Sequence, residues 1–385
     1  MTHPLFILAV LGANVALSEW LVRRTALRHL GSALVVIVVT AITANAGIIP
    51  PYSDRIGVYR GVFDFVGPLA IFLLLLRVDL RGLQRVGAPM LLLFLIGSAG
   101  TMVGVFVGMR VVGSDAFGES HFALGGMFAA TYIGGSINFN AVALHYGVVE
   151  DGLLYAGATL VDSAATTVWM AFSVALPRLF AGIWPVRKDP GSPSTVARAE
   201  ADDGGNTELV GPADIAALLA LGSFAVWFSS TVADWARAAT GHAVPSILIL
   251  TTLALILAQL RPVQELRGTR LSGWLAVLVF LAVIGALCDF AALRGIGALG
   301  GQLALFVTTV IGIHALFVFA AAYLLRLDPA LGAIASQANI GGSTTALALA
   351  RSLGRPDLAL PAILAGALGN ALGTYLGFLT AGWLR

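Results

Sequence analysis

The stretch Ile133-Gly134-Gly135-Ser136-Ile137-Asn138-Phe139-Asn140 returns late in the chain as Asn339-Ile340-Gly341-Gly342-Ser343-Thr344-Thr345. Its flanks return in the same order. Ala141-Val142-Ala143 matches Ala348-Leu349-Ala350 at the same offset, and Ala156-Gly157-Ala158 matches Ala365-Gly366-Ala367 with a small slip. The segments that begin at Leu11-Gly12 and Leu221-Gly222 also run in parallel. Ordered similarity at a long period marks an internal duplication.

The repeats sit in a chain suited to lipid. Of 385 residues, 58% are hydrophobic and only 11% charged, and mean hydropathy is +0.91. A soluble domain carries about 25% charged residues. Ten segments are apolar over about the 20 residues that a bilayer core requires: 4–22, 30–49, 59–78, 86–112, 152–180, 213–236, 243–260, 271–290, 301–325 and 359–384. Residues 120–147 and 328–351 are apolar too, but glycine pairs break them. The first 20 residues lack a basic start and are followed by Arg23 and Arg24, so they read as a membrane helix and not a signal peptide.

Charge placement chooses a topology. If both broken stretches are re-entrant hairpins and the N-terminus is outside, 16 of the 22 basic residues fall inside; if both cross the bilayer, only 10 do. Basic residues are enriched on the cytoplasmic side. The expected fold is therefore an all-α polytopic membrane protein of two inverted repeats. Each has five transmembrane helices and one Gly-Gly-tipped re-entrant hairpin, a discontinuous helix. Residues 1–183 form the first repeat (hairpin 120–147), 184–211 a cytoplasmic polar linker rich in Pro, Gly and Ser, and 212–385 the second repeat (hairpin 328–351). Each hairpin arm of about 13 residues would be roughly 20 Å long, enough to pass the middle of a 30 Å core. The expected location is the inner membrane, with both termini outside.

Several function classes drop out. The sole lysine, Lys188, lies in the linker, which removes a phosphate-binding loop and Schiff-base chemistry. Cys288 is the one cysteine, so intrachain disulfides and cysteine metal sites are excluded. No nucleophile–base pair points to an enzyme, no metal cluster or cofactor is implied beyond a coupling Na⁺ or H⁺, and no basic patch suggests nucleic acid.

What remains is chemistry suited to a small solute. Broken backbone inside a membrane survives only when buried in protein or lining a wet cavity. The arm after each break starts with free N–H groups and a positive dipole end, a site for an anion. The arm before it ends in carbonyls that can take Na⁺. The candidate solute-binding residues are Gly134, Gly135, Ser136, Asn138, Asn140, Asn339, Gly341, Gly342, Ser343, Thr344 and Thr345. Thr159, Asp162, Ser163 and Thr166 share one helical face. Asp162, Thr159, Ser163, Asn370 and Gln337 are the candidate coupling-ion ligands, with Asp162 near mid-bilayer, where an acid is costly. Gly366, Gly369, Gly373 and Gly377 form a small-residue groove for the second hairpin. His314 reads as a core histidine ahead of a proton relay. Glu19, Asp64 and Asp289 lie nearer helix ends, where water solvates them.

These residues resemble the YjcL-like membrane proteins, a family of unknown function, along the whole chain. That family is distantly similar to the 2-hydroxycarboxylate transporters and sodium/glutamate symporters. The resemblance implies hairpin tips that bind solute and Na⁺, a homodimer, and an elevator mechanism. One departure stands out: no intramembrane arginine lies near the second pair, since Arg351 is toward the end of its arm, which argues against a tricarboxylate. The reading is a Na⁺- or H⁺-coupled secondary transporter of a small organic anion or zwitterion, a carboxylate or an amino acid. The alternatives are a cation/proton antiporter and a non-transporting membrane regulator or scaffold.

Overall fold

The computed structural model describes residues 3–25, 27, 31–51, 56–78, 80–82, 86–179, 184, 210–241, 244–288 and 296–385. Most of the polar linker, with Lys188, lies outside the described residues, as does Asp289. Fourteen main helices are named here in chain order. In the first half they are α1 (Pro4–Arg24), α2 (Gly31–Asn45), α3 (Gly57–Leu75), α4 (Ala88–Val112), α5 (His121–Gly134), α6 (Ser136–His145) and α7 (Gly152–Leu179). In the second they are α8 (Pro212–Thr240), α9 (Ser246–Leu257), α10 (Thr269–Leu287), α11 (Ile296–Leu324), α12 (Pro329–Ile340), α13 (Gly342–Ser352) and α14 (Ala359–Leu384). Each half runs long, short, long, long, two short pieces, long.

Eight of these helices are long and apolar enough to cross a membrane. α2 and α9, expected as full spans, are shorter, with 15 and 12 residues. Local chemistry sets these limits. Gly47 stops α2 in the left-handed region at φ +73°, and Pro245 holds the chain extended before α9.

The chain forms two compact units that do not follow the sequence halves. The first comprises Met1–Arg77, Ala143–Ala164 and Leu209–Ala304; the second comprises Val78–Val142, Ala165–Glu208 and Leu305–Arg385. Each unit draws on both halves.

In the first unit, α1–α3 pack with α8–α10. Asn14 on α1 donates to Thr40 and Thr43 on α2, at 3.2 and 2.9 Å. Gly285 lets α10 lie on the α2 backbone, since a Cβ there would stand 2.4 Å from the Ile37 carbonyl oxygen.

The second unit is built on two glycine seams with one spacing. On α4, Gly97, Gly100, Gly104 and Gly108 face His314, Phe317, Val310 and Phe306 of α11. On α14, Gly366, Gly369, Gly373 and Gly377 receive the backbones of α5 and α13. Small residues permit such approach where lipid removes the hydrophobic drive for helices to associate. α12 and α13 fold back so that their ends meet. Asp328 caps α12 by accepting from the Ala330 amide at 2.8 Å, and it also accepts from Arg355, just beyond α13. Arg355 holds Asp357 as well, Nε to Oδ1 at 3.0 Å.

The seam sets a measurable contrast. A Cβ at Gly134 would stand 2.2 Å from the Gly369 carbonyl oxygen, whereas Gly12 on α1 has nothing within 4 Å. Gly134→Ala is expected to lower stability by about 1–3 kcal/mol or more through overpacking. Gly12→Ala should raise it by up to about 1 kcal/mol through helix propensity. Thermal melts of the purified variants, tracked by intrinsic fluorescence, check both.

Candidate functional site

Neither glycine-broken stretch is a continuous helix. α5 ends at Gly134, and Gly135 takes φ +82°; α12 ends at Ile340, and Gly342 takes φ +78°. Only glycine adopts such backbone without strain. At the first break the Gly135 amide closes α5 on the Thr131 carbonyl at 2.7 Å, while the Asn138 and Phe139 amides return to the Gly135 carbonyl at 3.1 and 3.5 Å. At the second, the Gly341 amide donates to the Gln337 carbonyl at 2.8 Å. The leading amides of α6 and α13 have no intrahelical acceptor, by the geometry of helix starts.

Both breaks press on the middle of α14, one turn apart. A Cβ at Gly369 would stand 2.3 Å from the Ile133 carbonyl oxygen, and one at Gly366 would stand 2.4 Å from the Ser343 nitrogen. The groove on α14 thus receives both broken helices and not the second alone. Close by, the Asn370 Oδ1 lies 3.8 Å from where a Gly135 Cβ would be.

The candidate residues divide by how they are used. Asn138, fully buried, donates to the Gly134 carbonyl at 2.8 Å and accepts from the Thr374 hydroxyl. Asn339, also fully buried, donates to the Phe94 carbonyl at 3.1 Å and the Ala335 carbonyl at 3.2 Å, and accepts from Ser98 at 2.9 Å. These two amides fix the breaks to α14 and α4. Asn140 and Gly134 are buried as well. Ser136 and Thr344 are exposed, while Gly135, Gly341, Ser343, Thr345 and Asn370 are half-buried and Gly342 is buried. Thr345 turns its hydroxyl onto the Gly342 carbonyl at 3.2 Å. Thr159, Asp162 and Ser163 belong to the first unit, on the part of α7 just before Ala164. All three are half-buried, and Thr159 donates to the Tyr155 carbonyl at 2.9 Å.

His314 is fully buried, and both its nitrogens are engaged. Nδ1 lies 2.9 Å from the Gly97 carbonyl oxygen, which only accepts, so the network assigns the proton to Nδ1. Nε2 then accepts from Ser336 at 2.9 Å, and Ser336 accepts from the Trp169 indole at 3.1 Å. Thr101 sits 3.0 Å from Nδ1 and passes its own proton to the Tyr132 carbonyl at 3.3 Å. One chain of hydrogen bonds therefore links α12 to the last turn of α5. His314 braces the two broken helices as a neutral ring. The α4 glycine seam that admits this ring was a sequence signal, since its spacing matches that of α14.

Gln337 is the exception. It is fully buried, yet neither its Nε2 nor its Oε1 has a hydrogen-bond partner. Its Nε2 lies beside Gly341, 2.3 Å from where a Cβ would stand, and the Thr345 oxygen flanks the same point at 2.2 Å. A buried amide left open costs about 1–3 kcal/mol.

The family described as protein of unknown function (DUF819) matches residues 6–385. The chain belongs to this family. It is also similar to an uncharacterized membrane protein, YjcL, of Bacillus subtilis (strain 168), with 28% identity over 373 residues, 91% of this chain and 89% of the relative. Together with eight helices of spanning length, this makes the DUF819 chain a multi-pass membrane protein.

The His314 chain has a measurable cost when cut. Ser336→Ala strands the Trp169 N–H and the His314 Nε2, and is expected to destabilise by about 1–3 kcal/mol. A double-mutant cycle with Trp169→Phe should then recover part of that loss, read as the coupling between two melting shifts.

Proposed function

We propose that the chain is a secondary active transporter that moves a small organic anion or zwitterion, a carboxylate or an amino acid, coupled to Na⁺ or H⁺. In this reading the two breaks are the tips of re-entrant hairpins in two inverted repeats. The solute's carboxylate lies against the open amides at the starts of α6 and α13, within reach of Ser136, Ser343 and Thr344. Asp162 with Thr159 and Ser163 carries the coupling ion in the first unit, and Gln337 and Asn370 supply candidate ion ligands in the second. Alternating access is of the elevator type, in an inner-membrane homodimer with both termini outside.

The observation that carries this reading is the convergence of two broken helices on one turn of α14. Broken backbone in a membrane needs a protein or water partner, and here it brings uncharged hydrogen-bonding groups together. Gln337 adds a group whose amide is open at both ends. The bond pattern of His314 favours symport over a cation/proton antiporter that would use this ring as a second charged group.

Purified protein in proteoliposomes tests the reading against a panel of carboxylates and amino acids. Uptake should appear only with an inward Na⁺ or pH gradient, and Asp162→Asn should abolish accumulation driven by that gradient. Silence across the panel under both gradients, with protein shown to be inserted, would falsify it.

Gln337→Met gives a sharper test, because function and stability should move oppositely. Removing a partnerless buried amide should raise thermal stability by about 1–3 kcal/mol, while uptake falls at least tenfold. Loss of both would place Gln337 in the packing alone.

The topology is tested in a Cys288→Ala background. Single cysteines at Gly118 and Gly147 should react with an impermeant thiol reagent from outside, and one at Gly354 from inside. Labelling of Gly118 and Gly147 from opposite sides would show that the first stretch crosses.

A further inference from the structure

The first unit holds a cavity of about 290 Å³ that the transport reading does not use. It lies between α3, the end of α6, α8 and α9. Its polar wall includes Asp64, His145, Glu150 and Ser230, and its apolar wall includes Phe63 and Leu250. Small-ligand sites run from about 300 to 1,000 Å³, so this one suits a small molecule. Asp64 enters it from a π-helical turn, Val62–Val66, which re-aims one residue inside an otherwise regular helix.

The chemistry of the wall selects a ligand. Among the described residues, two carboxylates line the cavity and no lysine or arginine does. Arg60 reaches Asp64 from one turn away at 3.4 Å, but the two side chains are 69% and 68% exposed. Exposed pairs of this kind contribute little, so a ligand can displace Arg60. A bare metal ion fits poorly. Among the described residues no three His, Cys, Asp or Glu side chains stand close enough to hold one, and the apolar wall would be idle. A monocation with a short hydrocarbon stem uses both walls.

We propose that this cavity is a binding site for a primary organic ammonium, its charged head directed to Asp64 and Glu150 and its stem laid along Phe63 and Leu250. The carboxylates supply charge-assisted acceptors for the three N–H donors, and Ser230 adds a neutral one. The cavity is lined by residues of the first unit, whereas the solute residues belong to the second.

The test uses full-length protein in phosphatidylcholine nanodiscs, with n-butylammonium as the probe and n-butanol and butyrate as neutral and anionic controls. Calorimetry should show saturable butylammonium binding, with neither control competing. Asp64→Asn with Glu150→Gln should weaken it at least tenfold. Ser230→Trp, which fills the cavity and leaves the carboxylates, should do the same, so the inference stays open to refutation if the double variant misfolds. Equal binding by the variants, competition by butyrate, or no saturable binding to the unmodified protein overturns it. Solute uptake by either variant should stay within twofold of the unmodified protein, so failure here leaves the transport reading standing, and an empty transport screen leaves this binding test standing.

Discussion

The second unit depends on backbone lying directly against backbone at the middle of α14. Gly369 meets the carbonyl that ends α5, and Gly366 meets the nitrogen that opens α13. Neither contact admits a methyl group. Between apolar helices in lipid, hydrophobic burial supplies no net attraction, so dispersion at very short range and hydrogen bonding carry the association. Small residues are what make that range attainable. The α4 seam applies the same solution one layer away, against α11.

Around this contact the polar groups are almost fully spent. Asn138 ties the first break to Thr374, Asn339 ties α12 to Ser98 and Phe94, and His314 joins Trp169, Ser336, Thr101 and the Tyr132 carbonyl. In a low-dielectric interior each such bond is strong, and each omission is costly. Gln337, satisfied at neither end, therefore marks a place where packing has been left unfinished. Unfinished polar groups in an otherwise complete network are what a ligand can complete.

The two units also differ in polar character. The second concentrates uncharged amides and hydroxyls at its breaks, while the first carries Asp64, Glu150 and His145 around a cavity. α6, α7 and α11 each pass from one unit into the other, at Val142–Ala143, Ala164–Ala165 and Ala304–Leu305. Asp162 lies two residues before the crossing in α7.

The sequence by itself determined which segments are helical and apolar, where the two breaks fall and that one set of elements occurs twice. These are local facts: apolar run length, glycine pairs with polar flanks, and repeated order. The α14 groove was legible for the same reason, as glycines at helical spacing. Only the tertiary structure decided which polar residues are spent and which are open. Asn138, Asn339 and Gln337 look alike in the sequence, all amides beside a glycine pair. Whether an amide finds a partner depends on carbonyls and hydroxyls from helices far away in the chain, such as Phe94, Ser98 and Thr374. Asp64 was set aside as an acid near a helix end, where water solvates it; its cavity is formed by α6, α8 and α9, none of which is its sequence neighbour. Short-range pattern encodes helices and breaks; partner choice is long-range, and it exists only once the chain has packed.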